Sequence, residues 1–119
     1  MPPPTDFTLD IPIFAKIYDF YKNLSQAITS FPKAKRYTLG QRLDQIALDI
    51  IELVITARYL VRDQKLQALQ KVSTKLDLLK ILLRLASDTK SIDNNKYQQL
   101  ASQVLEIGKM LGGWIKTVR

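Results

Sequence analysis

The chain has 119 residues, enough for one domain around a single core and too few for two. It contains neither Cys nor His, which removes disulfides, thiolate nucleophiles, sulfur-ligated metal and the side chain best suited to proton transfer near neutral pH. A hydrophobic content of 46% separates it from disordered chains, and a formal net charge of +7 favours a polyanionic partner.

These features lead to a non-catalytic binding protein of the reducing cytoplasm, with no metal and no cofactor. Met1-Pro2-Pro3-Pro4-Thr5-Asp6 lacks the basic-then-apolar order of a signal peptide. Residues 1–10 read as an extended, proline-containing arm ahead of a domain over 11–119. The richest apolar runs are interrupted by Asp49, Glu52, Asp77, Lys80 and Arg84, so none reads as a membrane span.

In the first predicted helix, Asp10 is the expected cap and Pro12 stands in the first turn. Its apolar stripe is Phe14, Ile17, Tyr21, Leu24, Ile28 and Phe31, and Pro32 ends it. The second opens at Thr38-Leu39-Gly40-Gln41, where Thr38 and Gln41 form a capping-box pattern. It carries Leu39, Leu43, Ile46, Ile50, Leu53, Ala57 and Leu60. A polar break is expected at Arg62-Asp63-Gln64. The third helix carries Leu69, Val72, Leu76, Leu79, Leu83 and Ala86. Ser91, Asp93 and Asn94 offer caps for a turn before the fourth, which carries Tyr97, Leu100, Val104, Ile107, Leu111, Trp114 and Val118. Four periodic segments with short connections predict an all-α, antiparallel up-down-up-down four-helix bundle.

Two of these helices are more apolar than a lone bundle requires. At ~100° per residue, Leu78, Ile81, Leu82 and Leu85 widen the third helix's stripe to about 220°, against the usual ~100°. Asp77, Lys80, Arg84 and Asp88 remain as a polar strip of mixed sign. Leu48, Ile51 and Ile55 widen the second helix in the same way. Such a surplus predicts self-association, with these seven apolar residues at the interface. Gly108 and Gly112, with Ala101, form a small-residue line on the fourth helix. Glycine within a helix costs about 0.5–1 kcal/mol, which predicts close approach of another helix there.

Two segments carry a resemblance: Phe31-Pro32-Lys33-Ala34-Lys35-Arg36-Tyr37-Thr38-Leu39-Gly40-Gln41-Arg42, and Glu106-Ile107-Gly108-Lys109-Met110-Leu111-Gly112-Gly113-Trp114-Ile115-Lys116. Together they resemble the accessory variability determinant (Avd) family, the small helical proteins that accompany the reverse transcriptase of diversity-generating retroelements. The related four-helix proteins of ribosomal RNA intervening sequences carry Asn-Ile-Ala-Glu-Gly in the second helix. Here that region reads Leu53-Val54-Ile55-Thr56-Ala57, which favours the retroelement family and leaves a ribosomal-type nucleic-acid binder, or a structural assembly subunit, as the alternative. The resemblance implies a homopentameric ring with a basic surface, binding the reverse transcriptase and template RNA to support mutagenic complementary-DNA synthesis, without catalysis of its own.

Two basic groups are the expected nucleic-acid contacts. Lys33, Lys35, Arg36 and Arg42 surround the first connection, with Tyr37 among them for stacking on an unpaired base. Arg58, Arg62 and Lys65 flank the second connection and fall at the same end as Lys116 and Arg119. Lys109 lies between the groups. Trp114 continues its helix's stripe and is expected in the core. A membrane-surface role would need cations massed beside an exposed apolar face. Here self-association accounts for the apolar surplus, so the expected partners are RNA or DNA, the reverse transcriptase and further copies of the chain, with no membrane.

Overall fold

A computed structural model of the protein describes residues 12–119, so the proline arm and the Asp10 cap lie outside the described residues. The elements in chain order are α1 (Pro12–Thr29), α2 (Lys33–Lys35), a π-helical turn (Arg36–Gly40), α3 (Gln41–Arg58), α4 (Arg62–Asp88) and α5 (Asn94–Val118). Among the described residues there is no strand. The four long helices surround one core: α3 packs on both α1 and α4, α4 on α5, and α5 on α1. The result is a rod 43 Å long and 30 by 22 Å across, with two distinct ends.

The core follows the helical stripes with local adjustments. Ile13, Phe14, Ile17, Phe20, Leu24 and Ala27 are buried on α1. Phe20, absent from the predicted stripe, is 1% exposed, whereas Tyr21 lies at the margin and directs its hydroxyl to Asp44 on α3 at 2.7 Å. On α3 the buried set is Leu43, Ile46, Ala47, Ile50, Val54 and Ala57. On α5 it is Leu100, Val104, Ile107 and Leu111, with Tyr97, Trp114 and Val118 packed half-buried around them.

The expected capping box at Thr38 and Gln41 does not form. Helix resumes directly after Pro32, so the chain is already hydrogen-bonded when it reaches Thr38. The Thr38 hydroxyl donates back to the Ala34 carbonyl at 3.2 Å. No orphan amide remains for it to cap. Gly40 explains the π-helical turn's seating: a Cβ there would lie 2.9 Å from Ile28 Cγ2 and 3.4 Å from Phe31 Cδ2. This glycine lets the turn press against the end of α1.

The polar break expected at Arg62-Asp63-Gln64 falls instead at Tyr59-Leu60-Val61. Arg62 to Gln64 form the first turn of α4, where Asp63 complements the helix dipole. At the α4–α5 turn, Asp93 alone of the three cap candidates accepts a capping bond, from the Lys96 amide at 2.7 Å. Ser91 is buried in the turn with its hydroxyl 2.9 Å from that of Thr89, and Asn94 is already helical.

Neighbouring helices cover part of the wide apolar arcs. Ile51, Ile55, Leu78 and Leu82 are half-buried against the core, but Ile81 remains 59% exposed, Leu85 44% and Leu48 39%. The polar strip of α4 is paired as its spacing suggests, with Lys80–Asp77 at 3.8 Å and Arg84–Asp88 at 3.2 Å.

Candidate nucleic-acid interface

The first end of the rod begins where α1 stops. Phe31 turns inward and is 2% exposed. Pro32, with an extended ψ of 144°, redirects the chain into α2. Lys33 and Lys35 therefore face solvent, as do Tyr37 and Arg42. Arg36 differs: it is half-buried, and its Nη2 donates to the Phe31 carbonyl at 3.3 Å. This arginine fastens the connection it was expected to expose.

Sequence reasoning missed two cations at this end. An open depression of about 670 Å³ lies between the last turn of α1 (Gln26, Ser30) and the α4–α5 turn (Ser87, Lys90, Asp93, Lys96). It brings Lys90 and Lys96 to the end that carries Lys33 and Lys35. Nothing in the local sequence of Lys90 or Lys96 marks this, because it depends on the α4–α5 turn lying beside the last turn of α1.

The second end gathers the α3–α4 connection and the terminus of α5. Arg62 Nε donates to the Val118 carbonyl at 3.0 Å, which joins the start of α4 to the segment holding Lys116 and Arg119. Arg58 places its guanidinium 5.6 Å over the Tyr59 ring, and Lys65 is half-buried one turn into α4. Tyr59 is 72% exposed and Val61 69%. Neither belongs to an apolar stripe, so periodicity does not single them out.

Lys109 belongs to neither end. It lines a shallow groove of about 260 Å³ between α4 and α5, with Leu76, Leu105, Gly108, Gly112 and Ile115. A Cβ at Gly108 or Gly112 would meet nothing within 4 Å, so the expected close approach does not occur inside one protomer.

The acidic residues are largely engaged with partners. Asp19, Asp49, Asp77, Asp88 and Glu106 pair with lysines or an arginine along the flanks. Asp44 accepts from Tyr21, and that bond, with burial behind it, raises the tyrosine's pKa. Asp49 accepts from Gln45 at 2.9 Å, which, with Lys75 at 3.4 Å, lowers its pKa. Asp93 is the cap of α5. Each exposed pair adds little stability. Together they offset five of the cations along the length of the rod.

Positive ends on a helical rod fit many proteins, and the comparison with known families narrows them. A model of the bAvd-like family matches residues 12–118. The chain belongs to that family. These are the bacterial accessory variability determinants, an accessory and non-catalytic family, and the match runs from the first described helix to the last turn of α5. No curated protein matches the chain. Among the described residues, no group of His, Cys, Asp or Glu could hold a metal ion, and no helix is long and apolar enough to cross a membrane.

Proposed function

We propose that the chain is a non-catalytic accessory protein of a diversity-generating retroelement. In this reading it binds the reverse transcriptase and the template RNA, in the cytoplasm, and supports mutagenic complementary-DNA synthesis. The protomers are antiparallel up-down-up-down bundles that associate through α3 and α4 into a pentameric ring. The family match over residues 12–118 carries the proposal. Two structural features support it: Leu48, Ile81 and Leu85 remain exposed on adjacent helices, and cations concentrate at the rod's ends. A heterologous contact closing by rotation would bury the former and repeat the latter around a ring.

Filter binding to the template RNA across a salt series tests the nucleic-acid part. The slope of log affinity against log salt is expected at about −0.7 per phosphate contacted on a single strand. Lys33→Glu with Lys35→Glu is the informative variant, because both side chains are exposed. Arg36 is left alone, since its bond to Phe31 closes the connection. The variant should weaken binding and flatten the slope with circular dichroism unchanged. Lys80→Glu with Arg84→Glu should do much less, as Asp77 and Asp88 already neutralise that strip. Equal loss from both would show bulk charge at work and no site. Light scattering at micromolar protein tests assembly, and a monomer would refute the ring.

A further inference from the structure

The second end presents an aromatic ring and a branched apolar side chain where the chain has no packing use for them. Tyr59 and Val61 are 72% and 69% exposed, and they are separated by Leu60, which does pack against the core. A short connection that needed only to turn would be served by polar residues. Cations surround the exposed pair: Arg58 over the Tyr59 ring, Arg62 bonded to Val118, and Lys116 and Arg119 beyond it. The nearest acid in sequence, Asp63, lies in the first turn of α4, where the helix dipole offsets its charge.

We propose that the α3–α4 connection is a stacking site for an unpaired nucleobase, with Tyr59 as the platform and the terminus of α5 supplying cations to the flanking phosphates. The inference rests on the nucleic-acid reading above and adds the form of strand recognised at this end. A ring on which a guanidinium already lies, and which is still largely exposed, has room for a second planar group. Stacking on an aromatic side chain tolerates any base, because every base has a π face. Val61 offers an apolar wall to the sugar or base edge, while the surrounding cations steer the backbone. Bases inside a duplex are stacked on one another and cannot use such a platform. The first end exposes a ring as well, Tyr37 at 63% among Lys33, Lys35 and Arg42, so the Tyr59 variants test the second end alone.

The test compares an unstructured oligouridine of about 12 nucleotides with an A-form RNA duplex of the same length, by fluorescence anisotropy on the full chain. The proteins are the unmodified chain, Tyr59→Ala, Tyr59→Trp and Tyr59→Phe. Tyr59→Ala should weaken the single strand about five-fold or more and leave the duplex unchanged, and Trp or Phe should restore binding. A 2-aminopurine placed in the oligomer should lose fluorescence on the unmodified chain and keep it on Tyr59→Ala. Unchanged affinity, or equal loss on both nucleic acids, overturns the stacking site and leaves the nucleic-acid reading standing. Binding of neither nucleic acid by the unmodified chain overturns both. If Tyr59→Ala abolishes reverse transcriptase binding while single-strand affinity holds, the connection is a protein contact and the proposal fails.

Discussion

The two connections at either side of α3 solve opposite problems. The first spans Ser30 to Gly40; it buries Phe31 and presses Gly40 against Ile28, and of its large side chains only Tyr37 stays outside, 63% exposed. The second is only Tyr59 to Val61, and it turns two large side chains outward. Length alone would suggest the reverse, since longer connections are usually the looser ones. What decides it is where hydrogen bonds and apolar contacts are available. Pro32, the π-helical turn and the bond from Arg36 to the Phe31 carbonyl tie the longer segment to the end of α1. The shorter one closes through backbone bonds from Tyr59 to Thr56 and from Leu60 to Ala57, which require nothing of the side chains of Tyr59 and Val61.

This contrast is broken most directly at Gly40. In Gly40→Val a branched side chain would meet Ile28 Cγ2, a methyl fixed to a stiff β-branched carbon, with Phe31 close behind. Overpacking of this kind costs about 1–3 kcal/mol, so chemical denaturation should show a loss in that range. Gly40→Ala should lose less, because improved helix propensity offsets part of the clash. An unchanged midpoint for the valine variant would mean that the first connection is not sealed by close packing.

Tyr21 tests the same region one layer deeper, where its hydroxyl ties α1 to α3 through Asp44. Tyr21→Phe should cost about 0.5–1.5 kcal/mol, the worth of a hydrogen bond with its half-buried acceptor left behind. The bond raises the folded pKa of Tyr21 above the usual 10.0. Its contribution is therefore complete below that value and is lost as pH rises through the folded pKa. The gap in stability between the unmodified chain and the variant should hold at pH 8 and shrink at strongly alkaline pH. A gap independent of pH would place the effect in packing and not in the bond.

Gly108 and Gly112 sharpen the comparison from outside the connections. They share with Gly40 a place in a helix but not its crowding, for a Cβ at either meets nothing within 4 Å. Alanine at either position should stabilise the protomer by about 0.5–1 kcal/mol. If assembly weakens at the same time, the open groove beside Lys109 is covered by another copy; if assembly is intact, the line is a surface feature only. Light scattering alongside thermal melts separates the two.

Much of this architecture was legible in the residues. The four stripes located the long helices, and the surplus on α3 and α4 marked Leu48, Ile81 and Leu85 before any contact was visible. What periodicity could not give was the chain's path between helices. A capping-box pattern at Thr38 has meaning only if helix begins there, and tertiary packing of Phe31 and Gly40 started it earlier. The glycine that matters was hidden for the same reason: Gly108 and Gly112 stand out along a helix, whereas Gly40 is tight only against residues of α1. At the site, Lys33 and Lys35 were readable as a cluster, but Arg36 was not readable as a fastener, because its partner is a backbone carbonyl. Lys90 and Lys96 join the first end because the α4–α5 turn lies beside the end of α1, and the exposure of Tyr59 is a property of the assembled bundle.

The smallest expected effect falls on the second connection, and its smallness is what makes it informative. Replacing Tyr59 and Val61 together by Ser removes two large side chains that are each more than two-thirds exposed. Neither contributes to the buried core, and the turn's own backbone bonds are independent of them. Surface changes of this kind stay within about 0.5 kcal/mol, so the denaturation midpoint should not move measurably. Arg58 loses its ring partner, but a cation held over an exposed aromatic is worth only about 0.5–1 kcal/mol. A fall of more than about 2 kcal/mol would exceed both allowances and show that the pair supports the fold, through contacts made in the assembled protein. A stable double variant, by contrast, separates the two connections cleanly: the same truncation at Phe31 would open the core, while here it only strips the surface of an aromatic that the protomer does not use.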